Sequence, residues 1–291
     1  GILFVSSEKP PSPSYLHRCY LLAREFGRIG LPAKIACRGE FSNIMRSSSK
    51  SRVIIIQRFI FPTAIFYLFF FRLFRKTIVF DFDDSIFVGI RGRIKGFVRK
   101  ILTILMIACS DMVVVSSHYL RDFAIRFNRN SHLIPTPVDC DLFSRRDKSV
   151  SDTVVLGYFG STRKHFEYLK PMKGILTKVA QKCKFKLHVL GCGKREDIMQ
   201  YFADVPFEVE FGPKSWIEFE KFPEYLSAFD VNLYVLTDDP WSKGKSGLRI
   251  LEAMSMGIPS VASSLGENTY IIDDGKDGFL ASSEEEWVEK P

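Results

Sequence analysis

Lys243 to Glu267 reads KGKSGLRILEAMSMGIPSVASSLGE, and this stretch decides the fold. Lys243, Gly244, Lys245, Ser246 and Gly247 are small or basic, the composition of a flexible, anion-tolerant turn. From Leu248 to Met256 the apolar residues Leu248, Leu251, Ala253 and Met254 make a helical stripe. Gly257 is placed to stop that helix, and Ile258–Ala262 is a short apolar run of strand type. A helix start has free N–H groups and a positive dipole end, so phosphate sits there readily. Glu252 projects about a turn and a half further on, within reach of a hydroxyl-rich group. Phosphate at one end and hydroxyls at the other describe a nucleotide-sugar.

Working outward, the first half alternates strands and helices. Strands are expected at Ile2–Ser6, Pro32–Cys37, Val53–Gln57, Thr77–Phe80, Met112–Ser116 and His132–Ile134. Helices are expected at Tyr15–Gly27, Pro62–Arg75, Ile94–Ala108 and Tyr119–Phe127, and SSSKSR (47–52) reads as a mobile loop. A Pro-rich, then charged and serine-rich stretch, PTPVDCDLFSRRDKSVSDT, follows as a linker. Beyond it a second alternating set has strands Val154–Phe159, Leu187–Leu190, Phe207–Phe211, Val231–Leu236 and Ile258–Ala262. Its helices are expected near Phe166–Cys183, Arg195–Phe202, Ile217–Ala228 and Leu248–Met256. The expectation is an α/β protein of two Rossmann-like domains, 1–147 and 148–291, whose parallel sheets face each other across a ligand-binding cleft.

The Lys243–Glu267 stretch resembles the donor-binding signature of retaining glycosyltransferases of the GT-B fold, family 4. Lys245, Ser246, Arg249, Leu251, Glu252 and Met254 match that family's K-S-x-x-K/R-x-L-E-x-M variant. The more common pattern has glutamates at both ends of an E-x7-E pair. Here the second is Glu252 and the first position is Gly244, a departure. SSHYLRDFAIRF with HLIPTPVDCDLF resembles the end of the family's first domain, through Pro135, Val138, Asp139 and Phe143. Relatives continue with terminal helices past Trp287, so the chain is expected to lack them.

The resemblance implies transfer of a sugar from a nucleotide-sugar to a glycan, lipid-linked or other hydroxyl acceptor, with retention, and without a metal or other cofactor. It implies donor contacts from Gly160 with Arg163 or Lys164, from Gly212 with Lys214, and from Lys245, Ser246, Gly247, Leu248 and Glu252. Fixed cations there stabilise the charge that the leaving diphosphate gains. Ser14, Arg18 and Asp81 are expected on the acceptor side. Asp83 and Lys245 are the expected catalytic residues, Asp83 orienting or deprotonating an acceptor hydroxyl. A solvated basic loop at 160–164 and a plain tight turn at Gly191-Cys192-Gly193 are the competing bland readings.

IVFDFDDSIF (78–87) stays open between three readings. One is a metal-binding D-x-D. Another is a haloacid-dehalogenase-like, magnesium-dependent phosphatase, with Asp81 as nucleophile and Asp83 as acid/base. The last is a family-4 variant in which this run replaces a histidine motif. A non-catalytic nucleotide- or glycan-binding relative is a further alternative, motivated by Gly244.

Composition narrows the partners. The net charge of +8 fits phosphate-bearing ligands or an anionic membrane surface, and no nucleic-acid module signature is present. Six scattered cysteines without a CxxC pair suggest reduced thiols and a cytoplasmic setting, and the basic and apolar helices described below add an expected peripheral place at the inner face of a membrane. The five histidines have no metal-ligand spacing. The longest apolar run, Phe59–Phe71, is too short to span a bilayer. Basic residues flank it, and others lead into Ile101–Ala108, which suits either an anionic lipid surface or a core helix with a solvated basic start.

Overall fold

The structure is a computed structural model that describes residues 1–88, 92–146, 152–160, 163–213 and 217–290, with the backbone alone at 163 and 164. The chain forms two compact units. The first is Gly1–Pro137 together with Asp239–Ser246; the second is Val138–Asp238 with Gly247–Pro291. The boundary expected near Asp147 falls outside the described residues.

In the first unit, β1 (Ile2–Ser6), β2 (Ala33–Cys37), β3 (Val53–Gln57), β4 (Thr77–Phe82), β5 (Met112–Val115) and β6 (Ser131–Leu133) form one sheet. Its order is β2-β1-β3-β4-β5-β6 and all its pairings are parallel. Strands buried on both faces read as near-continuous apolar runs, as VIII in β3 does. Ile54, Ile56, Ile78, Phe80, Phe82, Val113 and Val115 meet in one core. The chain order reverses between β1 and β3, and the carboxyl ends of strands at such a switch point are where open α/β sheets hold ligands.

The second unit has β7 (Val154–Gly160), β8 (Phe185–Gly191), β9 (Glu208–Phe211), β10 (Val231–Tyr234), β11 (Ser260–Ser263) and β12 (Gly278–Ala281). These run in the order β12-β11-β10-β7-β8-β9, again all parallel. The switch point is between β7 and β10. Two six-stranded parallel sheets thus bear out the expectation of two Rossmann-like halves.

Helix ends follow their caps. Ser117 caps the helix His118–Ala124 by accepting from the Leu120 N–H. Gly257, at φ 73°, ends the helix Leu248–Ser255; its N–H donates to the Met254 carbonyl and the Ile258 N–H to that of Ala253, a Schellman closure. Ser283 and Glu286 form a capping box on Glu284–Glu289.

Four expectations need correction. Residues 47–49 are not loop but the end of a helix, Phe41–Ser49, where Ser47, Ser48 and Ile44 are buried. The single helix over 166–183 is two, Arg163–Leu169 and Met172–Val179, broken at Pro171, which cannot continue the backbone ladder. The helix over 217–228 shrinks to a 3₁₀ turn, Phe219–Lys221, and Phe222–Leu226. Lys243 does not open a turn but ends a short helix, Pro240–Lys243, capped by the Asp239 carboxylate through the Trp241 and Ser242 N–H groups.

Candidate functional site

In the first unit the polar residues gather at the carboxyl ends of β1, β3 and β4. The helix that follows β1 has a π-helical turn, Leu16–Tyr20, between Pro13–Tyr15 and Leu21–Arg28. Such turns re-aim side chains and often mark functional sites, and this one carries His17, Arg18 and Cys19 into the interior. Arg18, 1% exposed, forks onto Asp81: Nε and Nη2 donate to Oδ1 at 3.0 and 2.8 Å, and Nη2 also to Oδ2 at 2.9 Å. Its Nη1 donates to the Ile134 carbonyl at 2.9 Å. Burial pushes the Asp81 carboxyl up to about 6, and the Arg18 charge limits that rise.

Asp83 and Asp84 are bound by a second arginine. Arg58 follows β3 with φ 51°, and its N–H donates to the Asp81 carbonyl. Its guanidinium lies 3.4 Å from Asp83 and 3.1 Å from Asp84. Burial opposes the Arg58 charge, but the two carboxylates outweigh it and hold the group above its ordinary value. Ser14 bridges the set: its hydroxyl accepts from Arg58 Nη1 and donates to Asp83 Oδ2, both at 2.7 Å. Asp83 Oδ1 is buried and has no hydrogen-bond partner among the described residues.

Lys245 completes the cluster, its Nζ donating to Asp84 Oδ1 at 2.8 Å. The Ser85 hydroxyl donates to the Pro240 carbonyl at 2.8 Å, so the Asp239–Ser246 segment is fastened within the first unit. Ser14, Arg18, Asp81, Asp83 and Lys245 are therefore brought together. Arg58 is the member that sequence reasoning missed, because a lone arginine after a strand carries no motif.

Both Asp81 oxygens accept from Arg18, so this carboxylate is not placed as the nucleophile of a phosphatase. Among the described residues no three His, Cys, Asp or Glu side chains group to hold a metal ion.

The second unit shapes its strand ends with glycine. A Cβ on Gly160 would stand 2.4 Å from the Cβ of His165, so only glycine fits there. Gly191, Cys192 and Gly193 have φ of 74°, 70° and 109° and wrap around the Gly160 carbonyl, which accepts from the Cys192 N–H at 2.8 Å. Burial pushes the Cys192 thiol up to about 12. Gly212 follows β9, its N–H donating to the Val189 carbonyl at 3.1 Å. Gly247, at φ 65°, precedes Leu248, the first residue of the helix Leu248–Ser255; Glu252 is buried on that helix. Ser246 ends the segment that belongs to the first unit. The Arg163 and Lys164 side chains, and Lys214 altogether, lie outside the described residues.

Arg249 is the second residue that was not singled out as a site residue. It donates from Nη1 to the Phe159 carbonyl at the end of β7. Its guanidinium lies 4.9 Å from the centre of the Tyr234 ring and 5.6 Å from that of Phe159. Burial works against its charge, and the Tyr234 and Tyr158 hydroxyls more than offset this. No carboxylate among the described residues pairs with it.

Residues 153–290, a little under half of the chain, match the family model Glycosyl transferases group 1. No curated protein matches the chain in sequence. Over 99% of its length the chain resembles Alr3699/HepE of Anabaena, solved with UDP, at 16% identity and TM-score 0.69, covering 88% of that protein. S. aureus TarM, solved with UDP and alpha-GlcNAc-glycerol, is similar at 18% identity and TM-score 0.56, over 82% of this chain and 47% of that one. A UDP-GlcNAc 2-epimerase from Neisseria meningitidis is similar at 11% identity and TM-score 0.55, over 99% and 89%. The chain has the GT-B fold of glycosyltransferases, and its second half matches glycosyl transferases group 1.

Proposed function

We propose that the chain is a retaining glycosyltransferase that moves a sugar from a UDP-sugar to a hydroxyl of a glycan or lipid-linked acceptor. The observation that carries this is Arg249, a largely enclosed guanidinium at the β7 end with no acidic partner among the described residues. A half-buried guanidinium that no carboxylate among the described residues neutralises is open to an anionic ligand, and a diphosphate would supply that anion. The solved relatives that hold UDP support uridine as the base.

In this reading Arg249 and the N–H groups at the start of Leu248–Ser255 bear the charge that develops on the leaving diphosphate. Glu252 takes ribose hydroxyls. The phosphate itself assists attack from the same face, so configuration is retained and no strong protein base is needed. Asp83, through Oδ1, which faces Arg58 at 3.4 Å but makes no hydrogen bond among the described residues, accepts from the acceptor hydroxyl and orients it. Ser14 and Arg58 hold that carboxylate in place.

Calorimetric titration with UDP, GDP and ADP tests the donor assignment. Selective binding of UDP supports it, and no binding of any nucleoside diphosphate overturns it. The epimerase fold-relative motivates a second measurement. Incubation with UDP-GlcNAc alone should return the sugar unchanged or hydrolysed; recovery of the C2 epimer would make the protein an epimerase.

A further inference from the structure

Two helices of the first unit that touch each other, Pro62–Leu73 and Arg93–Ala108, each have two apolar faces. One face serves the core, through Ala64, Tyr67, Leu68 and Phe71 on the first helix and Met106 and Ile107 on the second. The other is exposed. Phe66, Phe69 and Leu73 are spaced three and four apart, hence on one side of their helix. Phe69 is 65% and Leu73 78% exposed. Ile94, Phe97, Ile101 and Leu105 do the same on the second helix, with Ile94 80% and Phe97 65% exposed. Exposed apolar side chains gathered along one helix side, unlike singly scattered ones, mark an interaction surface.

The charge around these stripes has one sign. No acidic residue occurs between Phe59 and Lys76 or between Gly92 and Ser110. Arg93 and Lys100, seven residues apart, flank the second stripe on one side, and Lys95 flanks it on the other. Arg72 and Arg75 sit at the end of the first. Lysine and arginine stems can lie along an apolar surface while their heads reach outward to anions. A symmetric contact with a second copy would set these like-charged rims against each other. No described helix is long and apolar enough to cross a membrane.

We propose that these two helices dock the first unit on the surface of an anionic bilayer. The aromatic and aliphatic side chains enter the boundary between headgroups and acyl chains, and the arginines and lysines meet lipid phosphates. The same helix Arg93–Ala108 carries Arg99, whose guanidinium is held below its ordinary value by burial and by the nearby charge of Arg58. By helical spacing Arg99 lies on the side of the helix opposite the Ile94, Phe97 and Ile101 stripe, which leaves that stripe facing away from Arg58. If the transferase reading stands, the acceptor is carried by a lipid; the docking itself does not depend on that reading.

The test is co-sedimentation of the full chain with vesicles of phosphatidylcholine alone, or of phosphatidylcholine with one third phosphatidylglycerol. The expected result is binding to the anionic vesicles only, weakened by high salt. Phe69→Ser with Phe97→Ser, and separately Arg93→Glu with Lys100→Glu, should each lower partitioning by about tenfold or more. Circular dichroism and UDP titration of the variants confirm that fold and nucleotide binding persist. Failure of the native chain to sediment with anionic vesicles overturns the proposal, as does undiminished binding by both folded variants. A native dimer that the phenylalanine variants convert to monomer, with no vesicle binding, assigns the surface to a second copy and also overturns it.

Discussion

A Cβ on residue 244 would stand 2.0 Å from the Ser85 hydroxyl oxygen and 3.1 Å from both Ser85 Cβ and Leu120 Cδ2. Gly244 is thus fixed by the close approach of the Asp239–Ser246 backbone to the residue after Asp84. A glutamate has no room at this position without displacement of Ser85, so the glycine follows from packing.

Gly244→Glu should therefore destabilise the first unit and not improve activity. Gly244→Ala should cost about 1–3 kcal/mol, the usual penalty of overpacking. Ser85→Gly in the same chain should recover part of that loss. Thermal unfolding of the three variants checks this. An unchanged midpoint for Gly244→Ala would show that the segment yields freely.

Arg18→Met should cost about 3–5 kcal/mol at neutral pH, because it leaves Asp81 buried without its cation. The sign of the pH dependence follows from a folded-state value of about 6, above the ordinary 3.8. In the native chain the folded state binds this proton more tightly than the unfolded one. That contribution to stability is complete below the unfolded value and is lost as pH rises through about 6. The benefit of Arg18 exists only where Asp81 is ionised, so the gap between native chain and variant should narrow as pH falls below about 6. Urea unfolding across that range measures it; a gap that is constant with pH would mean that Arg18 acts by packing alone.

Asp83→Asn should lower transfer to the acceptor by about 10²–10⁴ while nucleotide affinity stays near native. Single-turnover transfer and UDP titration separate the two effects. Equal loss of both would place Asp83 in donor binding or in the fold.

Arg249→Lys should weaken UDP binding by about 1.5–3 kcal/mol, since a point charge cannot reproduce the guanidinium's several directed hydrogen bonds. Glu252→Gln should also weaken binding without lowering the melting temperature. If Glu252→Gln unfolds early and binds normally, Glu252 is a structural residue.

The strands were the most legible part of the fold. Ile2–Ser6 and Val53–Gln57 are apolar runs closed by polar residues, and both were bounded correctly from that contrast alone. Phe41–Ser49 was not legible, because four serines within 47–51 look like loop; in the structure the Ser48 and Ser51 hydroxyls bond back to carbonyls one turn earlier. β12 has four residues and opens on glycine, too little for a periodic signal. In the site, Asp81 and Asp83 are legible from their place at the carboxyl end of an apolar strand, and Ser14 and Arg18 only through the family resemblance of the segment before the first long helix. Arg58 and the role of Arg249 were not, since their meaning lies in the carbonyls and rings they meet.

The assignment of Asp239–Ser246 to the first unit means that the backbone passes from one unit to the other three times, at 137/138, 238/239 and 246/247. No single cut therefore yields two complete halves. A fragment starting at Val138 would carry an octapeptide whose capped turn, Lys245 ammonium and Gly244 backbone had lost Asp84, Ser85 and Ser117. The complementary fragment, ending at Pro137, would keep the Arg58 contact to Asp84 but lose the Lys245 ammonium from it. Dissection of this protein for expression or split-reporter work should keep that octapeptide with residues 1–137, supplied in trans or grafted through a circular permutation.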